Sequence, residues 1–327
     1  MNGRNRPISY RRKRQTKRTV ATVLIVLGIV LALLFISFVI LGNQMRKRAE
    51  NTPKDEGKNP SDTLATEQPD YAAPPSVSAY PVLAETTDTT TFYSRMIAAK
   101  EKGATAISVP LTDAAGNLLY KSSVAASLGV DNNSTYHVTI GSLAEQASAN
   151  QMYLSGVCVL KALEGEDDLL RSVALAQTAA IIAEAIRSGM DDVLLFAPSM
   201  KIEQIDELLR FVEQIRALAP DAVVGLALPS SVISHSDADK QIADLDSYFN
   251  YLALDVTDVG ENDAAEFVDA QVHSSQNQYR FLYYGMRLLL PVGENGEEEE
   301  RIVDAAKRNG VKSWQILPSV CIEKVNP

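Results

Sequence analysis

Two carboxylates at the end of a mainly apolar segment have the residue type and spacing that acid–base chemistry needs. Asp255 and Asp258 close the segment FNYLALDVTD (249–258), which is typical of a buried strand. Burial at a strand end would raise the pKa of one carboxyl group and make it a proton donor beside an ionised neighbour. The alternative role is structural. Asp258 would then cap a turn or the next helix, and Asp255 would accept hydrogen bonds from backbone amides.

Four further residues at the ends of apolar segments are candidates for binding a substrate: Asp113, Lys161, Trp314 and Gln315. Asp113 precedes Ala-Ala-Gly, so a place in a hairpin turn is its alternative role. Trp314 is the only tryptophan. An aromatic side chain can stack on a sugar ring or pack in a core, and the sequence allows either role for Trp314.

Metal and nucleophile chemistry have little support. The three histidines are far apart, and the two cysteines, Cys158 and Cys321, lack the spacing of a metal site. We therefore expect no metal and no cofactor. The two cysteines either form a disulfide bond or remain as buried free thiols.

A recurring pattern indicates the elements that position these residues. A helical stretch ends in Gly or Pro, a few residues follow, and then an apolar run appears that often stops at Pro, as at Pro110, Pro198, Pro229, Pro291 and Pro318. Glycine after a helix relieves left-handed strain, which predicts helix ends at Gly103, Gly189, Gly285 and Gly310. A short, near-continuous apolar run is typical of a parallel strand that is covered on both faces.

The pattern predicts eight strands that alternate with helices over residues 77–320. Such alternation allows a closed barrel or an open doubly wound sheet. No G-x-G-x-x-G or G-x-x-x-x-G-K-[ST] follows a strand, so the nucleotide-binding open sheets lose support. We predict the α/β class and a (β/α)8 TIM-like barrel, followed by a short C-terminal tail at 321–327.

The N-terminal part predicts a membrane anchor. Residues 1–18 carry eight basic side chains and no acidic ones, and residues 19–42 contain no ionisable side chain. About 20 apolar residues are needed to cross the hydrocarbon core as a helix. The positive charge before the span predicts a cytoplasmic N-terminus in a single-pass protein of the cell membrane. The barrel would then be extracytoplasmic.

Residues 43–76 are rich in Pro, Ser, Thr and charged side chains, which predicts a disordered linker. The formal net charge is −10, and the eight basic residues of the tail leave the remainder at −18. Nucleic-acid binding needs a basic surface, so an acidic body argues against it.

Two segments resemble a known family. GATAISVPLTDAAGNLLYKSSV resembles the second-strand region of bacterial membrane-anchored glycoside-hydrolase-like barrels, which are relatives of amylase and chitinase barrels. The matching residues are Gly103, Ala106, Asp113, Gly116, Tyr120 and Ser122. GMDDVLLFAP resembles the fourth-strand segment of the same family through Gly189, Asp191, Asp192 and Val193.

One departure from the family pattern bears on activity. The family carries an Asp at the end of the fourth strand, where this chain has Phe196. Glycoside hydrolysis normally needs two carboxyl groups beside the scissile bond. The resemblance therefore implies a degenerate, non-catalytic barrel that binds cell-envelope polysaccharide such as peptidoglycan, or scaffolds envelope proteins. An active glycoside hydrolase using Asp255 and Asp258, and a protein-binding envelope assembly factor, are the alternatives.

Overall fold

The computed structural model of the protein describes residues 74–81, 89–130, 138–165, 167–229, 243–257, 263–273, 286–293 and 295–322. The predicted basic tail (1–18) and membrane span (19–42) lie outside these ranges, as does the linker (43–76) apart from its last residues. Asp258 and the predicted helix end at Gly285 also lie outside them.

Eight parallel strands form a closed barrel, in which each strand pairs with its sequence neighbour and β1 pairs with β8. This confirms the predicted TIM-like fold. The strands are β1 (Ser78–Pro81), β2 (Ala106–Pro110), β3 (Tyr153–Val159), β4 (Asp192–Phe196), β5 (Val224–Leu228), β6 (Tyr251–Asp255), β7 (Arg287–Leu290) and β8 (Trp314–Ile316).

The described helices lie between the strands. They are α1 (Thr89–Glu101), α2 (Ser123–Leu128), α3 (Ile140–Ala149), α4 (Asp168–Arg187), α5 (Ile205–Leu218), α6 (Ala264–His273) and α7 (Gly296–Arg308). Gly103 and Gly310 follow α1 and α7 with φ angles of 85° and 75°. A residue with a Cβ is strained in this left-handed region, which is why glycine ends these helices.

Each barrel strand is buried on both faces, as in β4, whose five residues are all buried. One set of strand side chains packs against the helices in the main core, together with residues such as Phe211 and Ile182. The other set fills the interior of the barrel, where Leu194, Ala253 and Leu289 come from β4, β6 and β7. Successive residues of a strand point to opposite faces, so the two cores alternate along the sequence.

One helix in the described part of the chain, α4, is long and apolar enough to cross a membrane by composition, with a mean hydropathy of 1.5. A third of its apolar stretch is buried. Ala179, Ile182 and Ala183 belong to that buried face, and α4 packs beside α5. It is therefore a helix of the barrel in this structure, and its composition is no evidence for the predicted span at 19–42.

Candidate functional site

The loops that follow the strands of a parallel barrel meet at one end, which we call the C-terminal mouth. Enzymes with this fold place their reactive groups there. Substantial parts of these connections are described after β2, β3, β4 and β8, whereas those after β1 and β5 are outside the described residues.

Asp255 is the last residue of β6 and is partly buried. Its Oδ1 accepts hydrogen bonds from the Thr257 backbone N–H at 2.9 Å and from the Thr257 hydroxyl at 2.7 Å. This arrangement matches the structural role considered for Asp255, in which the carboxylate holds a turn. Its predicted partner, Asp258, lies outside the described residues.

Asp113 closes a hairpin that follows β2. Its Oδ1 accepts hydrogen bonds from the backbone N–H groups of Ala115 and Asn117 at 2.9 and 2.8 Å. Thr112 and Leu118 form an antiparallel bridge, and Gly116 has a φ of 83°. Asp113 thus stabilises the turn between two short extended segments, which is the alternative role that the Asp-Ala-Ala-Gly sequence indicates.

Lys161 lies beside this hairpin. A Cβ built at Gly116 would be 3.1 Å from the Lys161 Cβ, so the lysine stem packs close to the turn. The Lys161 ammonium group is 2.6 Å from the Glu164 carboxylate. The structure therefore brings Asp113 and Lys161 to the same part of the mouth, with both charged groups engaged in contacts within the protein.

A turn after β8 packs on the hairpin that follows β2 and covers the barrel interior beside it. Residues Ser319–Cys321 form one turn of 3-10 helix. The Ala114 backbone N–H donates to the Val320 carbonyl at 2.8 Å, and the Cys321 thiol donates to the Thr112 carbonyl at 3.6 Å. The turn is thereby fixed to the hairpin that contains Asp113, and Cys321 is 2% exposed.

Apolar side chains fill the barrel directly beneath this cover. Val159, Phe196 and Leu317 belong with Cys321 to the interior cluster, and all four are buried. Phe196 takes the position at the end of β4 where the resembled family carries a carboxylate. In the described part of the mouth, hydrocarbon side chains fill the top of the barrel interior.

Trp314 and Gln315 lie away from the mouth and point to opposite sides of β8. Trp314 begins the strand and packs edge-to-face on Tyr80, with ring centroids 5.2 Å apart. It is 2% exposed, so it presents no free face for stacking on a sugar. Gln315 is fully buried inside the barrel, where its amide joins a polar layer.

That layer is a set of polar side chains across the middle and N-terminal half of the barrel: Ser108, Ser155, Asp192, Tyr251, Arg287 and Gln315. The Arg287 guanidinium donates to the Asp192 carboxylate at 2.9 Å, to the Gln315 side-chain carbonyl at 2.8 Å and to the Tyr251 hydroxyl at 3.0 Å. The Gln315 amide donates to the Ser108 hydroxyl at 2.9 Å, and the Ser155 hydroxyl donates to Asp192.

Aromatic and glycine residues complete the layer. The Arg287 guanidinium carbon lies 3.9 Å from the centroid of the Tyr251 ring, a cation–π contact. Gly225 is paired with Tyr251 across β5 and β6, and a Cβ there would lie 2.1 Å from the ring. Burial raises the pKa of Tyr251 well above its ordinary value, so the phenol stays neutral.

Sequence reasoning found Gln315 but missed the other members of this layer. A charged residue at the first position of an otherwise apolar strand could have indicated a buried ion pair. Asp192 begins DVLLF, and Arg287 begins RLLL. Opposite charges on β4 and β7 meet across the interior only if the barrel is closed. The layer lies in the part of the barrel away from the mouth. Polar groups in that part usually serve stability in this fold.

The family-like segment after β2 has a structural role. The Tyr120 hydroxyl donates to the Ile181 carbonyl of α4 at 3.1 Å. The Ser122 hydroxyl caps α2 and donates to the Glu184 carboxylate. Glu184 also accepts a hydrogen bond from the Ser123 backbone N–H at 2.9 Å. These contacts attach the hairpin and α2 to α4.

Both cysteines are free thiols and buried. Each contacts Thr112: the Cys158 sulfur is 3.9 Å from its hydroxyl, and the Cys321 sulfur is 3.6 Å from its carbonyl. Burial raises the pKa of Cys158 to about 12 and raises the pKa of Cys321 as well. Neither thiol has the lowered pKa that a nucleophile needs.

No protein-family model matches this chain, and no curated protein sequence matches it. Among solved structures, it is similar to unliganded alpha-L-fucosidase AlfC from Lactobacillus casei, with 11% identity, a TM-score of 0.41, and coverage of 72% of this chain and 74% of that one. It is also similar to QR15, an aldolase, with 12% identity, a TM-score of 0.40, and coverage of 77% and 92%. A hypothetical protein from Ruminiclostridium thermocellum ATCC 27405 has 12% identity and a TM-score of 0.36, with coverage of 45% of this chain and 95% of that one. Similarity this distant says nothing about substrate or reaction, and the fold assignment rests on the closed sheet itself.

Proposed function

We propose that this chain is a membrane-anchored, extracytoplasmic barrel of glycosidase-like type that acts by binding and not by catalysis. Its role would be to scaffold envelope proteins or to bind envelope polysaccharide through its outer surface. The observation that carries the proposal is that apolar side chains fill the top of the barrel interior, which we call the filled mouth. Phe196 ends β4, and the turn Ser319–Cys321 covers the interior beside it.

A hydrolase of this fold needs two carboxyl groups at an open mouth, about 5 to 10 Å apart. In the described residues, Asp255 and Asp113 both hold turns through their carboxylates. In the described part of the mouth, these two carboxylates therefore serve the fold, which supports a barrel that acts by binding.

Sugar release tests the proposal. The full-length protein in phosphatidylcholine nanodiscs is incubated with purified peptidoglycan, and newly formed reducing ends are measured. We expect no increase over empty nanodiscs. Release that is lost in Asp255→Asn but retained in Glu213→Gln, a change on the exposed side of α5, would reverse the assignment.

An active glycoside hydrolase is the second candidate, because Asp255 does lie at the C-terminal end of a barrel strand. The same assay distinguishes the two candidates.

The location has its own test. The predicted span places the barrel on the outer side of the membrane. Protease added to intact cells should therefore digest the barrel while leaving the N-terminal tail intact. Protection of the barrel in intact cells, with digestion after lysis, would contradict the extracytoplasmic location.

A further inference from the structure

A groove lies at the N-terminal end of the barrel, opposite the mouth. Its volume is about 940 Å³. Helix α3 forms one wall, and the short segments that lead into β1, β2, β3 and β4 form the rest. We call it the α3–β4 groove. Because reactive groups of this fold lie at the other end of the strands, the groove is separate from the site predicted from the sequence.

Helix α3 turns one face towards the groove. Gly141, Ala144, Glu145 and Ser148 all line it. Residues that are three or four positions apart lie on the same side of a helix, so these four residues belong to a single face. Glu145 and Ser148 are exposed. The helix therefore contributes a carboxylate and a hydroxyl group to this wall.

The turn before β4 packs closely on α3 and contributes a second carboxylate. Gly189 has a φ angle of 104°, and a Cβ built there would lie 2.9 Å from the Ala144 Cβ. Asp191 follows in the same turn and is exposed. Its Oδ2 accepts a hydrogen bond from the Leu154 backbone N–H at 2.7 Å. The close contact between helix and turn fixes the walls that carry Glu145 and Asp191.

Tyr153, the first residue of β3, also lines the groove. The side chain is partly buried and packs against Val77, Ala79 and Ala106. Its hydroxyl is hydrogen-bonded to the Asp192 carboxylate inside the barrel, and burial together with that carboxylate raises the pKa of Tyr153. The hydroxyl end is thus engaged in the interior, so the part of Tyr153 that borders the groove is carbon surface.

Gln151 lies on the rim of the groove, between α3 and β3. Among the described non-glycine residues it alone has a positive φ angle, of 56°. This left-handed conformation is unfavourable for a residue with a Cβ, and glycine adopts it at little cost. The side chain is exposed. Gln151 therefore brings an amide group to the rim from a backbone position that glycine would suit better.

The polar groups of the groove match a sugar that carries a free amine. Hydroxyl and amide groups both donate and accept hydrogen bonds, as sugar hydroxyls do, whereas carboxylates only accept. Among the described residues that line the groove, the charged ones are Glu145 and Asp191. An ammonium group is a strong donor to such carboxylates, and the carbon surface of Tyr153 suits the C–H groups of a sugar ring.

We propose that the α3–β4 groove binds an amino sugar of the envelope polysaccharide. Glu145 and Asp191 hold its ammonium group, Ser148 and Gln151 pair with its hydroxyls, and its ring packs on Tyr153. The inference rests on the proposed function, because it names the kind of polysaccharide that the barrel binds and assigns it a site away from the mouth.

Other envelope ligands fit these groups less well. Glycans that carry carboxylate or phosphate groups are repelled by the two carboxylates. A fully N-acetylated glycan brings no positive charge to pair with them. A basic peptide supplies the charge without the ring and hydroxyls, so it serves as a separate arm of the test.

A titration with three defined ligands tests the site. The full-length protein in phosphatidylcholine nanodiscs is titrated calorimetrically at pH 6 with a glucosamine tetramer, an N-acetylglucosamine tetramer and tetralysine, and empty nanodiscs provide the background. We expect the glucosamine tetramer to bind at least ten times more tightly than either of the others. It should also protect residues 141–153 and 188–191 from hydrogen exchange.

Variants locate the binding. Glu145→Gln and Asp191→Asn should each weaken binding of the glucosamine tetramer about tenfold. Gln151→Gly should also weaken it, while the melting temperature stays the same or rises because glycine relieves the left-handed strain. The matched controls are Glu213→Gln on α5 and Asp221→Asn in the segment before β5; both residues are exposed, and neither variant should change the affinity.

Four results would overturn the proposal: no binding of the glucosamine tetramer, equal binding of the N-acetylated tetramer, equal binding of tetralysine, or groove variants that behave like the controls. Equal binding of tetralysine would assign the groove to basic peptides. Sugar release from peptidoglycan would instead refute the non-catalytic role, and it leaves the titration unaffected.

Discussion

The Arg287 guanidinium lies 2.9 Å from the Asp192 carboxylate inside the barrel, and the two side chains are 2% and 0% exposed. They come from β7 and β4, on opposite sides of the interior, so the ion pair ties the two halves of the sheet together. Hydrogen bonds from Arg287 to Gln315 and Tyr251 satisfy further donors. A charged pair that is this deeply buried is tolerated only because its polar groups are paired.

Removing one member of this pair should destabilise the barrel more than removing both. Asp192→Leu or Arg287→Met alone leaves a buried unpaired charge, and we expect a loss of about 3–5 kcal/mol in the free energy of unfolding. The double variant should lose less than either single one. Urea unfolding followed by the fluorescence of Trp314, the only tryptophan, measures all three.

The matched control is Arg301→Met, which removes an ion pair with Asp263. In this pair the Arg301 side chain is 53% exposed and the Asp263 side chain is 35% exposed. An exposed pair such as this one contributes little to stability, because water screens the two charges. A loss for Asp192→Leu no greater than that for Arg301→Met would show that the interior pair is unimportant for stability.

Gly225→Ala should destabilise the barrel by about 1–3 kcal/mol or more, because the new Cβ would lie 2.1 Å from the Tyr251 ring. The ring would have to leave its place beside Arg287. Gly141→Ala is the control, since its Cβ would meet only the Ser188 carbonyl oxygen at 3.8 Å. Thermal unfolding of both variants tests this, and equal melting temperatures would contradict the close approach at Gly225.

Glu184 should make the attachment of α2 dependent on pH. Burial alone would raise the pKa of Glu184, but hydrogen bonds from Ser122 and Ser123 outweigh burial and hold the pKa below its ordinary value. A carboxyl group with a lowered folded-state pKa stabilises the protein above its unfolded-state pKa. The stabilisation is lost as the pH falls through the folded-state value.

Glu184→Gln should therefore cost on the order of 1 kcal/mol at pH 7, the usual size of a capping interaction, and less at pH 3. Urea unfolding at both pH values measures the difference, with Glu213→Gln as an exposed control. A cost for Glu184→Gln that stays the same at pH 3 would contradict the role of the ionised carboxylate.

Both thiols should react slowly in the folded protein. Burial raises the pKa of Cys158 to about 12, so on the order of one thiol in 10⁴ is ionised at pH 8, and the thiolate is the reactive form. Ellman's reagent should label two thiols in 8 M urea without reductant and almost none in buffer. A count of zero in urea would instead indicate a disulfide bond between Cys158 and Cys321.

The eight strands could be predicted because each is a short apolar run, and most of these runs are bounded by residues with a specific backbone role. Gly103 and Gly310 adopt the left-handed conformation after α1 and α7, and Pro110 ends β2. The sequence does not mark helix α3, because no clear periodicity is present in the region that leads into it. Its first turn depends on Thr139, which accepts a hydrogen bond from the Ser142 backbone N–H at 3.3 Å.

The filled mouth could be only partly predicted. Phe196 is visible in the sequence as a departure from the pattern of the resembled family, which has Asp there. The Ala-Ala-Gly that follows Asp113 predicts a turn at that residue. The contact between Ala114 and Val320 joins residues that are far apart in the sequence. No local pattern marks such a contact, so the cover over the interior appears only in three dimensions.

The pairing of β1 with β8, through Ala79 and Gln315, constrains how this protein is made. The sheet has two open edges until residues near position 315 are available, so nearly the whole domain must be synthesised before the first strand finds its second neighbour. Parallel pairing over such a span is slow to form. The unfinished barrel would meanwhile expose strand edges that other chains can pair with, so its biogenesis should depend on protection from aggregation until the last strand arrives.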